Sequence, residues 1–121
     1  MSLNRRQILT YAAAACSLPA MASAASDNKP MQFIVPFGPG GSGDISARML
    51  AEWITKKTGR SVVVENKPGA NGIIGVEAAR NAPADGSVLL LATTSTHLAN
   101  PYLFKKLPYD PFTELRPVVL G

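Results

Sequence analysis

Along residues 31–93 the pattern of apolar positions changes character several times. Met31 to Pro36 (MQFIVP) is a short run with β-branched and aromatic members, and it stops at a stretch holding four glycines, Gly38, Gly40, Gly41 and Gly43. A run so short and so bounded predicts a strand. From about Asp44 to Thr58 the period becomes helical. Ile45, Met49 and Trp53, with Leu50 and Ile54 beside them, form one stripe that predicts a helix docked through it, and Gly59 is placed to end that helix. Trp53 is therefore expected in the core. Ser61 to Glu65 (SVVVE) predicts a second strand, whose consecutive valines suit a strand covered on both faces. Asn66 to Gly72 reads as a turn-rich loop, Ile73 to Asn81 as a short helix, Pro83 to Gly86 as a turn, and Val88 to Thr93 as a third strand. Thr94 to Pro101 follows as a polar loop. Strands and helices alternating in this way imply an α/β fold with a parallel sheet and right-handed crossovers. The order β-α-β-α-β is half of a doubly wound domain.

Composition sharpens this reading once the N-terminus is set apart. The chain has 121 residues, 46% of them apolar, with 12 Lys+Arg against 8 Asp+Glu, one His and one Cys. Arg5-Arg6 precede an apolar segment from Ile8 to Leu18, followed by Pro19 and the small-residue site Ala22-Ser23-Ala24, the order expected of a cleaved export signal over residues 1–24. Asn4-Arg5-Arg6-Gln7-Ile8-Leu9 also resembles a twin-arginine signal, and the residues leave that route and the ordinary secretory route open. Removal of residues 1–24 takes away two arginines and lowers the formal net charge from +4 to +2. The remaining Lys and Arg are spread along residues 25–121 with no basic run, which argues against a nucleic-acid partner. Cys16 leaves with the signal, so residues 25–121 are expected to form no disulfide and to hold no thiolate metal site and no cysteine nucleophile, and His97 alone does not make a zinc site. No metal and no cofactor are expected.

In parallel sheets, ligands sit beyond the carboxyl ends of the strands, so chemistry is sought in the loops after Pro36 and after Thr93. In Pro36-Phe37-Gly38-Pro39-Gly40-Gly41-Ser42-Gly43-Asp44 the missing Cβ atoms leave amide N–H groups free to face an anion from a helix N-terminus. The plainer alternative is a tight turn capped by Ser42 or Asp44. Phe37, inside this loop, is placed to line a pocket. The same stretch spells a G-x-G-x-x-G at Gly38, Gly40 and Gly43, between a strand and a helix, with Glu65 closing the next strand. That is the dinucleotide fingerprint in its proper context and keeps an exported NAD(P)-dependent oxidoreductase as the alternative reading. Pro39 removes one amide and Asp44 sets a carboxylate where phosphate would lie, and both oppose it. The second loop, Thr94 to Pro101, offers Thr94, Ser95, His97 and Asn100 as hydrogen-bonding groups for a small polar ligand, and the plainer alternative is a Ser/Thr-rich turn that caps a third helix. No G-x-S-x-G surrounds any serine, so catalysis is not indicated.

Several motifs in order then carry a resemblance. Pro36-Phe37-x-Pro39-Gly40-Gly41-x-x-Asp44 with Ala47-Arg48, Val62-Val63-Val64-Glu65-Asn66-Lys67-Pro68-Gly69-Ala70, Ile74-Gly75, Asp85-Gly86, Asn100-Pro101 and Leu107-Pro108-Tyr109-Asp110-Pro111 resemble the Bug family. These are periplasmic solute receptors, the extracytoplasmic binding proteins of tripartite tricarboxylate transporters. The resemblance runs from about Met31 to Gly121. It implies a two-lobed Venus-flytrap fold, a small carboxylate held largely by backbone amides, delivery to the membrane components of the transporter, and a periplasmic location. Carried onto this sequence, the ligand-binding positions are Phe37, Gly40, Gly41, Ser42, Gly43 and Asp44 in the first loop and Thr94, Ser95, His97 and Asn100 in the second. Asp44 is expected to order its loop through backbone N–H groups, because a bare carboxylate beside an anionic ligand would repel it.

Two departures qualify the resemblance. Ala84-Asp85-Gly86-Ser87 stands where the family usually has Pro-Asp-Gly-Tyr, which puts local packing in question. Family members are also more than twice as long, so residues 25–121 are expected to be the N-terminal part of lobe 1, truncated, without the second lobe. A half-domain of this kind leaves a sheet edge and an apolar docking surface exposed. Taken alone it is expected to be poorly soluble and not to bind ligand.

Overall fold

A computed structural model describes residues 29–119. The export-signal reading, the arginine pair and Cys16 lie outside these residues. Three strands, β1 (Met31–Val35), β2 (Val62–Asn66) and β3 (Val88–Leu90), form one parallel sheet in the order β2-β1-β3. The register aligns Phe33 with Val64 on one side and with Leu89 on the other. Three helices accompany them: α1 (Ser42–Thr58), α2 (Ile73–Arg80) and the short α3 (Asn100–Leu103). The parallel β-α-β-α-β order expected from the sequence is present.

Alternation along the central strand decides which helix covers which face. Phe33 and Val35 pack with Ala47 of α1, and Val62, Val64, Leu89 and Leu91 close the same layer. The opposite layer joins Ile73 and Val76 of α2 to Tyr109, with Leu90, Leu107 and Leu115 around them. The segment after α3 thus returns across α2, where Arg80 binds Glu114 at 3.3 Å and donates to the Pro108 carbonyl.

The docking face of α1 differs from the expected stripe. Asp44, Ala47 and Ala51 are its buried residues, whereas Ile45, Met49 and Trp53 are 53%, 67% and 58% exposed. Leu50 is also exposed and Ile54 half-buried. Trp53 is therefore not a core residue among the described residues. The reason is steric and electrostatic together. Small side chains let the helix axis approach the sheet closely, and the anchoring of Asp44 beneath the loop, described below, fixes the helix rotation in that phase. Ile45, Met49 and Trp53 then point the opposite way, because residues four apart share a face. Gly59 does end the helix, at φ 72° with its N–H on the Thr55 carbonyl.

Two other boundaries moved. β3, expected to reach Thr93, ends at Leu90, because β1, its only partner among the described residues, turns away at Pro36; the last bond of the ladder is Leu91 N–H to the Ile34 carbonyl. Thr94 to Pro101, expected as a loop, is helical. It contains a wide π-type turn at Ser95–Ala99 running straight into α3. The turn at Ala84-Asp85-Gly86-Ser87 closes locally: Asp85 Oδ1 accepts the Ser87 N–H at 2.9 Å and Gly86 takes φ +77°.

Candidate functional site

The strand order creates a switch point. From β1 the chain crosses to β2 on one side and then returns past β1 to β3 on the other, so the loops after β1 and β3 lie side by side at the carboxyl ends of the strands. Contacts confirm the convergence. A Cβ built on Gly43 would lie 2.9 Å from Leu91 Cδ2, and one built on Gly72 would lie 2.7 Å from Thr96 Cγ2, 3.3 Å from Pro36 Cβ and 3.5 Å from Phe37 Cζ. Gly72, at φ +88° and buried, is the point where the loop after β1, the turn before α2 and the turn after β3 meet. Only glycine combines that backbone with that clearance.

At the start of α1 the N-cap position is Gly41, with no side-chain cap. Ser42 and Asp44 do not cap in the usual way, and the first helical bond is Ile45 N–H to the Gly41 carbonyl at 3.0 Å, so the N–H groups of Ser42, Gly43 and Asp44 have no helical or side-chain cap partner among the described residues. Asp44 instead reaches back, its Oδ2 accepting the Gly40 N–H at 3.0 Å and Arg48 Nε at 3.0 Å. Its Oδ1 accepts Asn66 Nδ2 at 3.0 Å, and the same amide nitrogen donates to the Phe37 carbonyl at 3.1 Å. Arg48 also donates to Asn66 Oδ1 at 3.2 Å. The hydrogen bond from Arg48, then the Gly40 N–H and then Asn66 lower the Asp44 pKa from 3.8 to about 2, so the carboxylate stays ionised and neutralised under the loop. Asn66 ends β2 and Arg48 lies one turn along α1, so sheet and helix both position this loop.

The second segment is braced differently. Thr96 Oγ1 accepts the Thr93 N–H at 3.0 Å, donates to the Thr93 carbonyl at 3.0 Å and lies 2.9 Å from His97 Nδ1. His97 is half-buried, and burial lowers its pKa below the ordinary 6.5, favouring the neutral ring. Thr94 is exposed and Ser95 half-buried. Asn100 is fully buried, and its amide is taken up by Asn71 and Tyr109. Of the residues singled out from sequence, Gly40, Gly41, Ser42 and Thr94 are exposed, Phe37, Gly43, Ser95 and His97 half-buried, and Asp44 and Asn100 buried braces. Arg48, Asn66, Asn71, Gly72, Thr96 and Tyr109 were not among the expected ligand-binding positions, although Arg48, Asn66 and Tyr109 lie in the family motifs. An asparagine at a strand end, and one flanked by glycines at Gly69-Ala70-Asn71-Gly72, were the available signals.

Neither hallmark of the dinucleotide reading is free for that role. The Gly40 N–H is occupied by Asp44, and Glu65 is bound by Lys67 at 2.6 Å and by Gln32. A shallow groove of about 460 Å³ lies elsewhere, between α1 and the open edge of β2, floored by Ala51, Val62 and Val64. It is a packing gap away from the strand ends. Among the described residues no group of three or more His, Cys, Asp or Glu side chains is disposed to hold a metal, and no helix is long and apolar enough to cross a membrane.

This architecture has known relatives. Residues 46–120 match the model of the tripartite tricarboxylate transporter family receptor, and the chain belongs to that family. It is 45% identical over 91 residues to Protein BugT of Bordetella pertussis, covering 74% of this chain and 28% of the relative. Among solved structures it resembles the periplasmic binding protein BugD at TM-score 0.65 and 41% identity, over 70% of this chain and 28% of that one. It also resembles Rpa4515 of R. palustris with adipate (TM-score 0.65, 32% identity, 68% and 27% covered) and MatC of Rhodopseudomonas palustris with bound malate (TM-score 0.64, 34% identity, 68% and 28% covered). The chain spans about a third of the length of the curated relatives it matches. The family and these neighbours are binding proteins, and the oxidoreductase alternative is not favoured.

Proposed function

We propose that this chain is the N-terminal part of lobe 1 of a periplasmic receptor that captures a small carboxylate and delivers it to the membrane components of a tripartite tricarboxylate transporter. The observation that carries the reading is the uncapped, glycine-built N-terminus of α1 at the switch point between β1 and β3, with its one carboxylate, Asp44, drawn underneath and neutralised. A ligand carboxylate would accept N–H groups from Gly41, Ser42 and Gly43, aided by the positive end of the helix dipole. Phe37 would pack against its carbon skeleton. Thr94, Ser95 and His97 would hydrogen-bond the part of the ligand away from that carboxylate, while Gly40, Asp44 and Asn100 shape the two segments. Relatives of this fold hold adipate and malate, which supports the substrate class. No cofactor or metal enters this scheme. The opposing wall would come from a second lobe, and residues 25–121 alone would not bind. Residues 1–24 would act as the export signal, by the Sec or the twin-arginine route.

Gly41→Val tests the site without breaking the fold, because Gly41 has φ −78° and a Cβ there would meet only the Gly38 carbonyl, at 3.9 Å. In the protein expressed from its own gene, malate, adipate or citrate should raise the thermal midpoint of the wild type and leave Gly41→Val unmoved. At ligand concentrations about 100-fold above Kd the stabilisation is about 2.7 kcal/mol. Stabilisation by NAD or NADP, or by none of the acids, would overturn the reading. His97→Ala should change affinity among the acids without abolishing binding.

A further inference from the structure

The turn after β3 holds a carbonyl that its own helix does not serve. In the wide turn the Asn100 N–H bonds the Ser95 carbonyl, five residues back instead of four, so the Thr96 carbonyl loses the partner that an α-helix would provide. The next donor in the wide pattern would be residue 101, which is Pro101 and has no N–H. Thr96 is fully buried, where an unpaired carbonyl is costly. The donor comes from outside: the Tyr109 hydroxyl donates to Thr96 O at 2.6 Å.

That hydroxyl in turn accepts Asn100 Nδ2 at 3.2 Å. The other N–H of the same amide goes to the Asn71 carbonyl at 3.1 Å, and Asn100 Oδ1 accepts Asn71 Nδ2 at 2.7 Å. Asn71 stands at φ 53° among four consecutive residues of positive φ, Gly69, Ala70, Asn71 and Gly72. Two of these are not glycine, and such backbone persists only where surrounding contacts over-determine it. The turn so held places Gly72 against Thr96, Pro36 and Phe37 with no room for a Cβ. A displacement at Thr96 therefore moves its neighbours Ser95 and His97 relative to the loop after β1.

We propose that Tyr109, Asn100 and Asn71 are positioning residues of the candidate carboxylate site, locking the turn that carries Thr94, Ser95 and His97 onto the left-handed turn 69–72 and, through Gly72, onto Phe37. The role in binding rests on the receptor reading above; the lock itself rests on the hydrogen bonds. Tyr109 lies outside both ligand segments and acts through the Thr96 carbonyl.

The test uses the protein expressed from its own gene with two variants. Tyr109→Phe removes the hydroxyl and keeps the ring, which is buried with Ile73 and Val76. Asn71→Gly removes the amide while tolerating the positive φ, and as a change at an exposed position it carries the test if Tyr109→Phe does not fold. The readouts are the ring ¹⁵N resonances of His97, malate and adipate affinity by calorimetry, and the thermal midpoint. Both variants should shift the His97 resonances and weaken the better-bound acid about tenfold, which is 1.4 kcal/mol, at temperatures well below unfolding. Lys57→Ala, exposed on the last turn of α1, should change neither. Unmoved resonances with unchanged affinity overturn the proposal, as does an affinity loss that merely follows the thermal midpoint while the resonances stay fixed. If the wild type binds none of malate, adipate and citrate, the receptor reading fails, and the His97 resonances alone decide the lock: moved, it stands; unmoved, it falls.

Discussion

Asp44 shows how one side chain can brace a glycine-built loop from below. Its carboxylate joins the Gly40 N–H, Arg48 and Asn66, and the folded pKa of about 2 lies below the ordinary 3.8. Stabilisation from the ionised group is therefore complete above pH 3.8 and is lost as the pH falls through about 2. Acid unfolding followed by circular dichroism should show a loss of stability across that window in the wild type. In Asp44→Asn that step should be missing and the thermal midpoint at neutral pH lower. His97 has the same sign of dependence for a different reason. Burial depresses its pKa, so its neutral ring contributes above pH 6.5 and stability declines as the pH falls below that value. At Gly72 the backbone and the neighbours both exclude a side chain. Gly72→Ala should cost about 1–3 kcal/mol from the positive φ alone, measured by denaturant unfolding, and the 2.7 Å approach to Thr96 should add to that.

Among the elements, α1 is the one whose amphipathic pattern misleads. Counting apolar residues at helical spacing selects Ile45, Met49 and Trp53, yet the sheet receives Ala47 and Ala51. Hydrophobicity alone does not carry the phase here, because alanine scores weakly although it permits the closest approach of helix to sheet. Asp44 was the better clue, since a carboxylate that must reach Gly40 and Asn66 sets the rotation of every residue after it. Ala47→Leu should therefore destabilise by about 1–3 kcal/mol through overpacking. Replacing Ile45, Met49 and Trp53 together by Gln should leave stability within about 0.5 kcal/mol per site. Equal losses in the two experiments would contradict the docking face described here.

Over the whole molecule, a three-stranded sheet carries open edges at β2 and β3 among the described residues, and α1 turns an apolar face outward. Contiguous exposed apolar surface of this kind favours association. Sedimentation velocity of residues 25–121 should show self-association that weakens in the triple Gln variant. The same scale decides which loops meet. The loops after β1 and β3 meet only because the strand order is β2-β1-β3. An order placing β3 beyond β2 would separate the loop after β1 from the turn after β3 by a strand.

Strand and helix succession, the glycine-built loop after β1, the end of α1 at Gly59 and the family motifs were all legible along the chain, because each depends on local backbone preference or on residues close in sequence. The docking face of α1, the early end of β3, the helical course of residues 94–103 and the bracing roles of Asn66, Asn71, Asn100 and Tyr109 were not. Each depends on a partner far along the chain: Asn66 lies 22 residues from Asp44, and Asn71 lies 29 from Asn100. Local pattern determines which segments can be strand, helix or turn; only the assembled sheet decides which polar groups lose water together and must satisfy one another.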